Sequence, residues 1–92
     1  MLKILDFNAP WCGPCQTMKP VLKEIQTEYP DIEIQFIDVD DPKNNELVSS
    51  YNVRNIPFFI FELDGEIIDK LIGIQPKQKI IDIINNAQNY NN

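Results

Sequence analysis

Histidine is absent from this 92-residue chain, and cysteine occurs only twice, at Cys12 and Cys15. A structural zinc site usually takes four Cys or His ligands, so this composition cannot assemble one within the chain, and no metal is expected. Cysteines three positions apart close a ring too small to staple a secreted fold. Basic residues are also scarce: eight Lys and Arg stand against fourteen Asp and Glu, for a formal charge of −6. With no basic patch or aromatic-arginine cluster, nucleic acid is not an expected partner. Glycine occurs three times and forms no phosphate-cradling loop, so neither nucleotide nor flavin, and hence no cofactor, is foreseen. Apolar runs extend for a few residues, far below the roughly 20 that span a bilayer. The opening run Met1–Phe7 lacks the charged region, long apolar region and cleavage site of a signal peptide. A cytoplasmic location away from membranes is the expectation.

What remains is ordinary globular material, 43% hydrophobic and 24% charged, with room for one core and therefore a single domain over residues 1–92. Residues 2–8 form a short apolar run without helical period, which predicts a buried central strand. From Gly13 to about Tyr29, Met18, Val21, Leu22, Ile25 and Tyr29 recur at helical spacing, while Lys19, Lys23, Glu24 and Glu28 fill the outer face. Pro14 suits the first turn, Pro20 removes an interior hydrogen bond, and Pro30 closes the helix. Ile32–Val39 reads as a second strand and residues 43–51 as a short helix. Phe58–Leu63 and Glu66–Ile72 flank Asp64-Gly65, a type I′ hairpin signal. Gln75-Pro76 opens a last helix with Ile80, Ile81, Ile84 and Ala87 as its buried stripe, and the tail from Gln88 to Asn92 is expected to fray. The order is β-α-β-α-β-β-α, and a right-handed crossover should make the first two strands parallel.

The chemistry lies at the first strand-to-helix junction. In Trp11-Cys12-Gly13-Pro14-Cys15 the thiols sit at i and i+3, on one helical face and within bonding reach. At the helix N-terminus, unpaired N–H groups and the macrodipole favour a thiolate on Cys12, which makes it the nucleophile. Cys15, one turn inside, can attack the resulting mixed disulfide and resolve it. Three bland readings stand beside this one: a zinc half-site shared between molecules, a structural disulfide, and two core cysteines that happen to be close. The intervening Gly13-Pro14 and the polar helix end leave Cys12 poorly placed for burial, which favours the redox reading. Asp6 lies within an apolar strand, where burial should raise its pKa; alternatively it faces solvent at an uncovered edge.

Asp6-Phe7, Ala9-Pro10-Trp11-Cys12-Gly13-Pro14-Cys15, Pro20, Arg54-Asn55-Ile56-Pro57, Asp64-Gly65 and Gly73 together resemble the thioredoxin family along nearly the whole chain. The resemblance implies a thioredoxin-like three-layer α/β sandwich and a protein-disulfide reductase. It also implies that Asp6 lies beneath Cys15 and accepts its proton. Local physics favours a trans bond before Pro57; the resemblance implies a cis Ile56-Pro57 bond beside the cysteines. Ile56 would then pair its backbone with an extended substrate segment, in a shallow groove completed by Trp11, Gly13, Pro14 and Gly73.

The departures from the family pattern are equally specific. The family's first strand and helix have no counterpart, which leaves a four-stranded mixed sheet in spatial order 2-1-3-4 with the outer edge of the second strand uncovered. That edge, carrying Ile34 and Phe36, could pair with another copy, although a monomer is the expected state. Asn8 replaces a usual aromatic residue, so the cover over Asp6 should be thinner and wetter. Phe36 stands where the family has a lysine, and Asp6 thereby loses a possible charge partner. Disulfide-containing proteins are the implied substrates, with a thioredoxin reductase or glutathione as electron donor. A glutaredoxin-like enzyme lacks support from the Gly13-Pro14 spacer, and a binding subunit with incidental thiols is the third reading.

Overall fold

In the computed structural model, which describes residues 1–90, the apolar segment Leu2–Asn8 becomes β1, the strand around which everything else is arranged. The helix α1 follows over Gly13–Glu28, then β2 over Glu33–Asp38. A 3-10 turn at Pro42–Asn44 leads into a six-residue helix, α2, at Asn45–Ser50. Strands β3 (Phe58–Leu63) and β4 (Glu66–Ile72) precede α3 (Lys77–Tyr90). The spatial order is β2-β1-β3-β4, with β2 parallel and β3 antiparallel to β1, and β4 antiparallel to β3. The parallel pairing of β1 and β2 follows from the order of elements and the spatial order is the one the family resemblance implies; β2 and β4 are its edges. Asp64 and Gly65 both have positive φ, 52° and 88°, as the type I′ turn between β3 and β4 requires.

Register divides β1 between two faces. Ile4 and Asp6 sit opposite Ile34 and Phe36 of β2 and opposite Phe61 and Phe59 of β3. On this face Leu2, Ile4, Phe59 and Phe61 pack with Met18, Leu22 and Ile25 of α1 and with Ile80, Ile83, Ile84 and Ala87 of α3. Leu5 and Phe7 point the other way, joining Ile37, Phe58 and Ile60 beneath Leu47, Val48 and Tyr51. Both faces of β1 are therefore dry, which is why its sequence shows no alternation. Burying these two clusters removes most of the chain's large apolar side chains from water, the main term favouring the fold.

Two expectations about α3 change. Its buried stripe includes Ile83, while Ile81 is only half-buried. Ile80, Ile83, Ile84 and Ala87 follow the 3, 4, 7 spacing of a helix lying flat on a sheet. The tail expected to fray from Gln88 continues as helix to Tyr90, and its last two positions, 91 and 92, lie outside the described residues. Lys77, at the start of α3, forms ion pairs with both Glu24 and Glu28 and ties that end of α3 to α1.

Candidate active site

The strand β1 delivers Ala9 to the mouth of α1, and the turn Ala9–Cys12 is closed by the Cys12 N–H donating to the Ala9 carbonyl at 3.2 Å. Cys12 is the N-cap of α1, in extended conformation (φ −86°, ψ 106°), with Pro14 within the first turn. Its Sγ accepts the backbone N–H of Cys15 at 3.2 Å, the place a serine or aspartate oxygen takes at an ordinary helix start. Cys12 and Cys15 are joined by a disulfide across a Cα–Cα distance of 5.2 Å, comfortable for the bond. A sulfur placed there is the atom on which negative charge is best tolerated once the bond opens, because the free N–H groups of the helix end point at it.

Burial of the pair differs from expectation. Cys12 is 5% exposed and Cys15 2%, so in the disulfide state neither is open to solvent. Ala9, Val39 and Ile56 close over them. The polar helix end alone would have left Cys12 exposed; the segments bearing Val39 and Ile56, remote in sequence, supply the cover. Ile56-Pro57 is cis, as the resemblance implies and local physics does not. The Pro57 carbonyl accepts the Gly73 N–H at 2.8 Å, and Gly73 has φ +83°. Pro57 is buried, Ile56 and Gly73 are half-buried, and Gly13 and Pro14 are exposed.

Trp11 is 70% exposed, but its indole is not loose: Nε1–H donates to the Asp40 carboxylate. It forms one wall of a cleft of about 270 Å³ whose other walls are Val39, Val48, Val53, Arg54 and Ile56. This apolar cleft adjoins the cysteines through Val39 and Ile56, which belong to both clusters. In the sequence Val39 and Asp40 mark only the end of a strand. A Val after a strand followed by consecutive acids carries no local mark of its role.

Asp6 is 1% exposed, which removes the solvent-facing reading. Its Oδ1 has no hydrogen-bond partner among the described residues. Burial is the largest influence and pushes its pKa up to about 6, while the nearby Asn8 amide and the Lys19 ammonium pull it partly back. The expected wetter cover is not found over Asp6 itself. Asn8 is half-buried and spends its amide donor on the Asp6 backbone carbonyl at 2.9 Å. The charge expected to be missing at Phe36 arrives instead from α1, through Lys19. Helical spacing alone puts Lys19 on the outer face; its position four residues after Cys15 is the signal that places it at the flank of the buried stripe.

Along α1 the buried residues are Cys15, Met18, Leu22 and Ile25. A helix that follows a strand and returns to a parallel one runs back down that strand, so its first turns lie over the end of β1 that carries Asp6. The fold thus brings to one end of the sheet a disulfide at a helix N-terminus, a buried acid on the covered face and an apolar cleft beside the sulfurs. Such an arrangement defines a dithiol–disulfide exchange protein. The thioredoxin family model matches residues 1–86. A thioredoxin of Listeria monocytogenes is 41% identical over 85 residues, covering 91% of this chain and 81% of the relative. A thioredoxin of Bacillus subtilis is 35% identical over 82 residues, covering 89% and 78%. Among solved structures, a point mutant of thioredoxin from Halobacterium salinarum superposes with a TM-score of 0.84 at 36% identity, over 94% of this chain and 74% of that one. Fasciola hepatica thioredoxin gives the same TM-score at 34% identity, over 94% and 80%. The chain belongs to the thioredoxin family and is a thiol–disulfide oxidoreductase with the thioredoxin-like fold.

Proposed function

We propose that this protein reduces disulfides in other proteins, with Cys12 as nucleophile, Cys15 as resolving thiol and Asp6 as proton acceptor. The carrying observation is the position of Cys12 Sγ as N-cap acceptor of α1. In the reduced protein the Cys12 thiolate attacks one sulfur of a substrate disulfide, forming a mixed disulfide and expelling the other sulfur as thiolate, which takes a proton from water. Cys15 gives its proton to Asp6 and attacks Cys12 Sγ. The mixed disulfide breaks, the second substrate sulfur leaves as thiolate, and the Cys12–Cys15 disulfide forms. Two electrons pass from protein to substrate, and Asp6 later returns its proton to solvent. The pKa of Asp6 near 6 suits this: at neutral pH it is mostly ionised and still basic enough to accept a thiol proton.

Substrate would lie across Trp11, Gly13, Pro14 and Ile56, beside Pro57 and Gly73. The half-buried Ile56 next to the sulfurs supports short backbone pairing with an extended segment. The electron donor is a flavin-dependent thioredoxin reductase and not glutathione, a reading supported by the Gly13-Pro14 spacer and by the family. The protein is read as one domain, a monomer working in the cytoplasm; among the described residues, no helix is long and apolar enough to cross a membrane. The test is a coupled insulin-reduction assay with thioredoxin reductase, run on the wild type and two single variants. Cys12→Ser should abolish turnover, and Cys15→Ser should stop after one attack and accumulate a mixed disulfide visible by mass. Accumulation with Cys12→Ser instead would reverse the assignment.

A further inference from the structure

We propose that the open edge of β2 pairs with the same edge of a second copy of this chain, strand to antiparallel strand. In concentrated protein the two four-stranded sheets then form one continuous sheet, while dilute protein stays monomeric. This pairing follows from the fold and does not depend on the redox reading. The two edges of the sheet differ. β4 is irregular where it faces Phe61 and Glu62 and carries Lys70 in mid-strand, and both features discourage a further strand. β2 pairs with β1 in unbroken register from Glu33 to Asp38 and holds neither lysine nor proline.

Hydrogen bonding determines which groups of β2 are open. The Val39 N–H donates to the Asn8 carbonyl of β1, so by the two-residue alternation of a strand Glu33, Gln35 and Ile37 also turn their backbone groups toward β1. Ile32, Ile34, Phe36 and Asp38 turn theirs outward. Two of these outward groups are already used: the Ile32 N–H donates to the Tyr29 carbonyl, and the Asp38 carbonyl accepts from the Asp41 N–H and the Asn44 amide. The Ile32 carbonyl, both groups of Ile34 and Phe36, and the Asp38 N–H remain. A two-fold axis at Gln35 sets Ile34 opposite Phe36 and Ile32 opposite Asp38 of the second copy. Every remaining donor then meets a remaining acceptor. An axis at Ile34 or at Phe36 instead sets a free group against one already used.

Side chains agree with this register. Ile34 and Phe36 lie on the face covered by α1, and each aliphatic–aromatic pair packs across the junction. The exposed Gln35 meets its own copy on the other face, where two amides bond each other. Glu33 falls opposite Ile37, so no like charges stand directly across. Lys19, with Nζ 5.8 Å from the Phe36 ring centroid, identifies the flank of α1 that borders the edge. Lys23 lies one turn further along that flank, toward the Ile32 end, because α1 runs back down the sheet. The two-fold brings Asp38 of the second copy to that same end, so a basic helix flank meets an acidic strand end. The net charge of −6 on each chain and the narrowness of an edge contact keep the association weak. With the strands antiparallel, the two disulfide ends point away from each other and both stay open to substrate.

Sedimentation equilibrium of the oxidised 92-residue chain over a wide concentration range should show a reversible monomer–dimer equilibrium. Gln35→Lys and Gln35→Glu each set like charges across the axis and should weaken association roughly fivefold, whereas a one-to-one mixture of the two should associate at least as tightly as wild type. In concentrated wild type the outward amides of Ile34 and Phe36 should exchange more slowly with solvent than in dilute protein. A monomer at every concentration overturns the proposal, as does a dimer that both single variants leave intact or one that protects β4 amides instead. Insulin reduction by the dilute variants should match wild type. Failure of the wild type to reduce insulin would end the redox reading without touching this one.

Discussion

Asp6 is the residue at which stability and the proposed chemistry oppose each other. Folding raises its pKa from an ordinary 3.8 to about 6, so the fold favours the neutral acid. Well below the ordinary value of 3.8 both folded and unfolded chains are protonated there, and stability is at its fullest. As pH rises from about 4 toward 6 the unfolded chain releases the proton first, and stability falls until Asp6 ionises in the folded state as well. The shift corresponds to a loss of about 3 kcal/mol by pH 8. Asp6→Asn should therefore stabilise the oxidised protein toward urea at about pH 8 by up to that amount while changing little at about pH 3.5. The same variant should slow release of substrate from the mixed disulfide. Equal stabilisation at both pH values would show that packing, not ionisation, distinguishes the two side chains. The influence of the Lys19 charge on Asp6 is not legible in the sequence. A helical wheel says which residues face the sheet, but not which strand residue lies under each, and Lys19 matters only through Asp6 and Phe36.

At the scale of elements, local chemistry writes the boundaries clearly. The two hairpin strands predicted at Phe58–Leu63 and Glu66–Ile72 occupy those residues, because Asp-Gly with φ > 0 at both positions sets the register beside the turn, and an irregularity between Phe61 and Glu62 shifts it further along. The Gly65 turn closes the end of the sheet away from the disulfide, and a Cβ there would meet nothing within 4 Å. Gly65→Ala should thus cost only the left-handed backbone penalty, about 1 kcal/mol. Urea denaturation should show a lower midpoint with an unchanged slope, and insulin reduction at room temperature should be unaffected. A much larger loss would mean that the turn carries contacts beyond its own conformation. Other features depend on pairings distant in sequence and are not legible from local pattern. The cis bond before Pro57 follows from family resemblance, since local physics favours trans. The burial of Cys12 depends on Val39 and Ile56, some 27 and 44 positions downstream. The six-residue α2 follows a 3-10 turn, a division that a short amphipathic signal does not resolve.

At the scale of the whole molecule, the redox potential gathers these effects into one number. The N-terminus of α1 stabilises a thiolate on Cys12 and so favours the reduced form. The chain's net charge of −6, and above about pH 6 the ionised Asp6, disfavour further negative charge at the site and so favour the disulfide. The disulfide state also hides both sulfurs beneath Ala9, Val39 and Ile56, which keeps a substrate thiol from reopening it readily. The acidic surroundings oppose the helix N-terminus and favour a reductase, and the expected midpoint at neutral pH lies at about −230 to −290 mV, a range set by thioredoxins as a class. Equilibration in graded dithiol buffers measures it directly, and Trp11, the only tryptophan, sits beside Cys12 as a fluorescence reporter. A reversible two-electron transition in that range supports reduction of protein disulfides. A midpoint near about −120 to −180 mV would instead assign the protein to oxidation or isomerisation, with Cys12 stabilisation outweighing the acidic surroundings. Absence of a reversible transition would remove the catalytic reading of the pair and leave the fold as a binding scaffold.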